Sequence, residues 1–237
     1  MATKVAVKNG SISGAAVTAA EEHVANLPSH PLSEADMIQL VEDWMQGQLE
    51  RALAKVSTEM VEPYPWWDVY AVGPFQSLGA FPGPLQPHQV IKLGQSATIF
   101  TVVYLNPITN VIASPPTNAR DFLTGFGSIP YTVSVNTGNK STWQLAPGAG
   151  LNTSQSGILA PFGQTFFINA FTFTPATAGL HEMSIAARIG NPGSAAPFGG
   201  VATWVVDPDT DILLPGLNIA TRPAGLRQIP VTFQVYE

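Results

Sequence analysis

The stretch Gln164–Gly190, QTFFINAFTFTPATAGLHEMSIAARIG, decides the fold of this chain. Phe171 and Phe173 alternate with threonines before a turn that contains Pro175 and Gly179. Beyond the turn, the apolar residues at every second position are Met183, Ile185, Ala187 and Ile189. Alternation with a period of two, rich in aromatic and β-branched side chains, is typical of strands. The stretch therefore predicts two antiparallel strands joined by a short turn.

The opposite face of the first strand is also apolar, since it carries Phe166, Ile168 and Ala170. A strand that is apolar on both faces needs a cover on both sides. The same pattern occurs in SATIFTVVYLNP, residues 96–107. The candidate covers are a helix and a Pro-rich segment that precede the strands, either from the same chain or from another copy.

The remaining strands are short and separated by turn residues. They lie in PYTVSVNTG, STWQL, VATWVV and IPVTFQVYE, and residues 106–128 form a long irregular connection. Short strands with turn signals and no second strong helix predict an antiparallel β-sandwich for residues 89–237.

A long amphipathic helix is predicted over residues 33–57. Ser33 is a good N-cap, and Asp36 three residues later completes an acidic variant of the capping box. The apolar arc is wider than one docking stripe requires, because Trp44 flanks it. Trp44 contacts either a second neighbour, such as another subunit, or the loop that follows the helix.

Residues 58–88 combine six prolines with Tyr64, Trp66 and Trp67 and further aromatic residues. Proline excludes a helix and discourages a central strand, so we expect an extended strap laid across a surface. The three named aromatics suit either sugar stacking or packing between helix, sandwich and subunits. Residues 1–32 form an N-terminal arm, either with a hairpin at Asn9-Gly10 or as a disordered polar segment.

Charge is scarce and unevenly distributed. Charged residues make up 11% of the chain, against about 25% in a typical domain. The first 68 residues contain ten acidic and four basic side chains, whereas the remainder contains six of each. A sandwich surface with so few charged residues is either prone to association or covered. We favour cover by copies of the same chain or by a partner.

Composition also argues against several classes of protein. No basic stripe supports nucleic-acid binding, and the absence of cysteine removes disulfides and thiolate chemistry. No apolar run approaches the ~20 residues that span a bilayer, and polar residues interrupt any secretory signal. The compartment is therefore open, and we expect cytoplasmic synthesis followed by assembly into a particle or by non-classical export.

Two motifs resemble those of bacterial immunoglobulin-like domains. GQSATIFTVVYLNP resembles strand B, and FTFTPATAGLHEMSIAARI resembles strands E and F, with His181 where that family has tyrosine. The resemblance implies a structural or adhesive scaffold without catalytic residues. The fold class is accordingly an immunoglobulin-like or jelly-roll-like sandwich.

Asp207, Asp209 and Asp211 are the candidate metal ligands. Alternate carboxylates can converge on Ca²⁺, although Ile212 and Asn218 stand where an EF-hand needs glycine and glutamate. The alternative is an ordinary solvated turn. The four histidines are scattered, and neither a nucleophile elbow nor a phosphate loop occurs, so we expect no enzyme and no other cofactor.

Two functions follow from these observations. The leading hypothesis is a non-enzymatic structural protein that self-associates into a homo-oligomer, filament, lattice or shell through its sandwich, arm and helix. The alternative is a carbohydrate- or surface-binding module that uses Tyr64, Trp66 and Trp67, with or without calcium.

Overall fold

The structure, a computed structural model, describes residues 33–55, 67–76, 87–108, 118–190, 198–205, 226–227 and 230–237. Its helices are α1 (Glu34–Lys55) and α2 (Ala119–Gly125). Its strands are β1 (Trp67–Gln76), β2 (Val90–Lys92), β3 (Ala97–Leu105), β4 (Pro130–Asn139), β5 (Gln144–Leu145), β6 (Gly148–Ala149), β7 (Asn152–Ile158), β8 (Phe166–Pro175), β9 (Gly179–Ile189), β10 (Phe198–Val201), β11 (Thr203–Val205), β12 (Leu226–Arg227) and β13 (Val231–Tyr236).

The strands form two sheets packed face to face. Sheet A has the order β12-β11-β1-β3-β8-β6, and sheet B has the order β2-β13-β9-β4-β5, with β10 added to β9 and β7 to β4. Immunoglobulin domains carry strands A, B, E and D in one sheet and C, F and G in the other. The orders β1-β3-β8-β6 and β4-β9-β13 reproduce both sets, so the fold is an immunoglobulin-like β-sandwich. The predicted B strand is β3, and the predicted E and F strands are β8 and β9.

The inner faces of the two sheets form the main core. Phe171 and Phe173 of β8 face Met183 and Ile185 of β9, and all four side chains are buried. The alternation seen in the sequence is therefore the alternation between core and exterior, which confirms the predicted sandwich. Antiparallel pairing dominates, but β1–β11 and β13–β2 pair in parallel.

Helix α1 covers the outer face of sheet A. Its buried face and that of the sheet form a second apolar cluster, the outer cluster: Met37, Val41, Met45, Leu49, Tyr70, Val72, Phe75, Phe100, Val102, Tyr104, Phe166 and Val205. Ser33 caps the helix, since its Oγ accepts from Asp36 N at 3.2 Å while Asp36 Oδ2 accepts from Ser33 N at 2.9 Å. The cover that the apolar strands require thus comes from the same chain.

Strand β1 differs from the expected strap. Residues 67–76 form a strand between β3 and β11, whereas the prolines of residues 58–88 suggested an extended segment outside the sandwich. The pairing of β1 with β3 shifts between Val72 and Phe75, so Pro74 lies in an irregularity that needs no ladder hydrogen bond from it. Trp204 Nε1 donates to Gly73 O at this point, at 2.8 Å.

The connection after β3 also differs from expectation. Residues 106–128 were expected to be irregular, yet they contain α2, which Asn118 caps by accepting from Asp121 N at 2.7 Å. This short helix carries the chain from sheet A to sheet B. The stretch STWQL, expected as a strand, is mostly a turn, and its last two residues form β5.

Candidate functional site

The structure places two of the four predicted interface aromatics. Trp44 is half-buried on α1 and packs against the outer cluster. Trp67 is half-buried at the start of β1, packs against the inner core and lies beside Gly200. Both indoles therefore pack within the chain, and their role in binding or association stays a prediction. Tyr64 and Trp66 lie outside the described residues, so their role stays a prediction.

Asp207, Asp209 and Asp211 also lie outside the described residues, and calcium binding there stays a prediction. Within the described ranges, no group of three or more histidine or acidic side chains is arranged to hold a metal ion. None of the helices in these ranges is long and apolar enough to cross a membrane.

His181 lies near the start of β9, just after the turn from β8. Its ring is fully buried and stacks on Phe233, with centroids 5.4 Å apart, and its Nδ1 lies 3.0 Å from Gly179 O. Burial lowers the pKa of this imidazole, and the hydrogen bond to Gly179 opposes that effect more weakly. Because a carbonyl can only accept, Nδ1 is the donor, and His181 acts as a neutral packing group.

A hydrogen-bonded turn presents Trp143 to solvent. The turn follows β4, and Asn139 fixes it from a fully buried position: Asn139 Oδ1 accepts from Ser141 N at 2.9 Å, and its Nδ2 donates to Ala178 O at 3.1 Å. Trp143 has φ of 58° and is 81% exposed. A bulky residue rarely adopts this left-handed conformation, and such outliers persist where surrounding contacts enforce them. The indole is thus held outward by its neighbours.

Three exposed apolar side chains lie on or beside this turn, and we call them the tryptophan end: Trp143, Leu145 and Leu180. Lys140 lies beside it, with Nζ 5.0 Å from the centroid of the Trp143 ring and 2.8 Å from Glu182 Oε2. A cation at this distance is attracted by the face of the indole. Lys140 thus contacts both the Trp143 indole and the Glu182 carboxylate.

A second exposed apolar surface lies around α2. It consists of Phe122, Phe126 and Phe162, and we call it the phenylalanine end. The rings of Phe122 and Phe126 meet edge to face with centroids 5.2 Å apart. Gly163 N donates to Thr124 Oγ1 at 3.0 Å, which ties the loop carrying Phe162 to the helix. Phe162 and Phe126 are 70% and 59% exposed.

The two surfaces lie at opposite ends of the sandwich. Strand β4 begins at Pro130, which pairs with Ile158 just before the Phe162 loop, and it ends at Asn139, where the Trp143 turn begins. Nine residue steps of about 3.3 Å separate these positions by roughly 30 Å.

Sequence reasoning missed both ends. The alternation of STWQL suggested a strand, and the contacts of Asn139 with residues 177–178 that make it a turn are distant in sequence. Phe122 and Phe126 fell in a region assigned as irregular. The one available signal was Asn118 followed by Asp121, a capping pair that predicts a helix start.

The chain matches no protein-family model and no curated protein. Among solved structures it is similar to a CARDB domain from Pyrococcus furiosus at 13% identity, covering 62% of this chain and 100% of that one, with a TM-score of 0.29. It is also similar to the C-terminal domain of Wzt at 9% identity, covering 77% and 90% of the two chains, with a TM-score of 0.29.

A third similar structure is a family 123 glycoside hydrolase from Clostridium perfringens, at 8% identity and a TM-score of 0.25. That match covers 59% of this chain and 27% of the hydrolase. At these scores the likenesses carry no argument about function. The fold assignment stands on the strand order.

Proposed function

We propose that this protein is a non-catalytic structural β-sandwich that self-associates through the exposed apolar ends of the sandwich. The observation that carries this proposal is the phenylalanine end. Three partly exposed aromatic rings lie together on a capped helix and a tied loop. Burying such rings against another protein is favourable at about 25 cal/mol per Å² of apolar surface.

The charge distribution supports contacts at the ends rather than through the helix side. Helix α1 carries five acidic and two basic residues, Glu34, Asp36, Glu42, Asp43, Glu50, Arg51 and Lys55. Two copies meeting helix to helix would bring like charges together, which opposes association. At the phenylalanine end, Arg120 and Asp121 neutralise one another through a 2.8 Å ion pair. This end can therefore be buried without opposing a net charge.

Sedimentation velocity over a wide concentration range tests the proposal. We expect the full-length chain to sediment faster as its concentration rises, and the double variant Phe126→Ser/Phe162→Ser to lose that dependence. Both side chains are largely exposed, so the variant should keep its melting temperature. A wild-type chain that stays monomeric up to millimolar concentration would refute self-association.

Trp143 supports a second candidate, binding of carbohydrate. An exposed indole beside Lys140, Glu182 and the Ser141 hydroxyl offers a ring face for stacking and polar groups for sugar hydroxyls. This site would lie apart from the sugar-stacking residues predicted from the sequence, Tyr64, Trp66 and Trp67. Titration of soluble polysaccharides with Trp143 fluorescence as the signal tests it, with Trp143→Asn as the control.

A further inference from the structure

Strand β8 lies at the edge of sheet A for most of its length. On one side, residues 166–173 pair with β3 without interruption. On the other side, β6 pairs only with the last two residues of β8, Thr174 and Pro175. Within the ranges that the structure describes, residues 166–173 therefore have no strand partner on that second side. We call this side the β8 edge.

The register of β8 shows which backbone groups point out of the sheet at this edge. Leu105 N donates to Thr165 O in the same antiparallel ladder, at 2.9 Å. Because only alternate residues of such a ladder exchange hydrogen bonds, the odd-numbered residues of β8 bond to β3. The N–H and C=O groups of the even-numbered residues point to the β8 edge instead: Phe166, Ile168, Ala170 and Thr172.

Two glutamine side chains bond to outward carbonyl groups of the β8 edge. Gln155 Nε2, from β7 in the facing sheet, donates to Ala170 O at 2.7 Å. Gln164 Nε2, from the loop before β8, donates to Phe166 O at 2.8 Å. A strand added at this edge would need the same carbonyl groups as acceptors. It would therefore have to displace both glutamine side chains.

Gly150 lies against a third outward carbonyl group, that of Thr172. Its φ of 73° is in the left-handed region, which glycine adopts without strain. A Cβ atom at Gly150 would clash with Thr172 O and would lie 3.0 Å from Phe173 Cα. The turn between β6 and β7 thus lies directly against β8. Three of the four outward carbonyl groups are in contact with another part of the chain.

The composition of the β8 edge explains why these contacts matter. Three of its four outward residues are apolar, and residues 166–174 contain neither a charged residue nor a proline. An apolar edge strand is a template for pairing with another chain unless charges, prolines or a cover prevent it. Strand β7, at the edge of sheet B, is instead rich in serine, threonine and amide side chains. The β8 edge is therefore the one that needs protection by other means.

We infer that Gln155 and Gln164 protect the β8 edge against the addition of a strand from another chain. Each side-chain amide occupies a carbonyl group that the added strand would need for its first hydrogen bonds. The Gln155 contact also joins β7 of sheet B to β8 of sheet A, so an entering strand would have to separate the two sheets on this side. This protection does not depend on the contact proposed at the phenylalanine end.

A double variant that removes both amides tests the inference. Gln155→Thr keeps a residue that favours strands, and Gln164→Ser changes only the loop before β8. Both substitutions are introduced into the Phe126→Ser/Phe162→Ser variant as background, because that variant lacks the exposed rings of the proposed self-association. Any association that the two substitutions cause is then separate from the phenylalanine end.

The matched control is Gln234→Thr in the same background. Gln234 Nε2 also donates to a backbone carbonyl group, that of Val235, at 3.2 Å. Its strand, β13, is paired on both sides, with β9 and with β2. The control therefore loses the same kind of hydrogen bond without opening an edge.

We expect the double variant to form aggregates that bind thioflavin T at a concentration roughly tenfold lower than the background, because each lost hydrogen bond shifts an equilibrium by a factor of about 2–10. The Gln234→Thr control should behave like the background, and Gln164→Ser alone should show a smaller effect. Hydrogen exchange, measured by NMR after the aggregates are dissolved in dimethyl sulfoxide, should be slowed at Ile168 and Ala170. The N–H groups of these two residues point out of the free edge.

A charge at the edge distinguishes strand pairing from a loss of stability. Thr172 is exposed at the β8 edge, and a lysine on an edge strand opposes pairing, so Thr172→Lys should abolish aggregation of the double variant. Thermal melting compares the stability of all variants. The inference is wrong if aggregation persists with Thr172→Lys, if the double variant stays monomeric like the background, or if Gln234→Thr aggregates as readily.

Discussion

Two buried threonines show how single polar atoms set stability at the residue scale. Thr101 and Thr137 are both completely buried in strands. Thr137 Oγ1 donates to Leu151 O at 2.8 Å, whereas Thr101 Oγ1 has no partner within the described residues. A buried hydroxyl without a partner costs free energy, and an apolar group of the same shape removes that cost.

We therefore expect Thr101→Val to raise the free energy of unfolding by about 0–2 kcal/mol and Thr137→Val to lower it by about 1–3 kcal/mol. The substitutions are identical in shape, so chemical denaturation of both variants isolates the hydrogen bond. Equal destabilisation by the two substitutions would show that the Thr101 hydroxyl is satisfied in solution.

His181 makes stability depend on pH. Burial lowers its pKa from the ordinary 6.5. Near this pH the unfolded chain therefore binds a proton that the folded chain does not bind. The free energy of unfolding should then fall as the pH decreases from about 7.5 through 6.5 towards 5, by at most about 1.4 kcal/mol per pH unit for this group. Burial also lowers the pKa of His88, which adds in the same direction.

Denaturation of His181→Phe at several pH values measures this contribution, because a phenyl ring can keep the stacking on Phe233. The slope against pH should become smaller, and His88→Gln should reduce it independently. A variant with the wild-type slope would show that His181 does not titrate in this window.

At the scale of elements, α1 stabilises the sandwich by covering sheet A. Met45 lies on the face of α1 that packs against sheet A and is fully buried. Its neighbour Gln46 is exposed, and Gln46 Nε2 donates to Glu50 Oε1 at 3.1 Å. Met45→Ala should lower the free energy of unfolding by about 2–5 kcal/mol, because a cavity remains against the sheet. Gln46→Ala should change it by less than about 0.5 kcal/mol.

Thermal and chemical denaturation of the two variants provide the comparison. A cost for Met45→Ala similar to that for Gln46→Ala would mean that α1 leaves the sheet easily. In that case the outer cluster would be available to partners, and the helix side would need to be reconsidered as an interface.

The sequence predicted those helices and strands whose formation depends on neighbouring residues in the chain. Ser33 and Asp36 predicted the start of α1, and alternation through Phe171 and Phe173 predicted β8. Strand β1 was not predicted, because Gly73 and Pro74 contradict a central strand unless the pairing is irregular there. That irregularity depends on β3 and on Trp204, which only the folded chain brings together.

At the scale of the whole molecule, the net charge is confined to the N-terminal part of the sequence. The first 68 residues account for the net charge of −6, and the rest of the chain is balanced. If association uses apolar ends, it should change by less than about twofold between about 50 and 500 mM NaCl, since salt screens charges only. It should also strengthen on warming from about 5 to 25 °C, because apolar burial weakens in the cold.

Sedimentation at several salt concentrations and temperatures distinguishes apolar from ionic contacts. A steep loss of association with salt would point to the Lys140–Glu182 and Arg120–Asp121 pairs as the groups in contact. A Val201→Ser variant controls for general effects of salt on exposed apolar residues.

The parallel pairing of β1 with β11 has a consequence for biosynthesis. Tyr70 pairs with Thr203, so one edge of β1 has no partner until more than half of the chain has followed it from the ribosome. At about 5–20 residues per second this takes on the order of ten seconds. During that time an apolar strand is open to pairing with a neighbouring nascent chain. Production of this protein should therefore benefit from slow translation and from chaperones that shield strand edges.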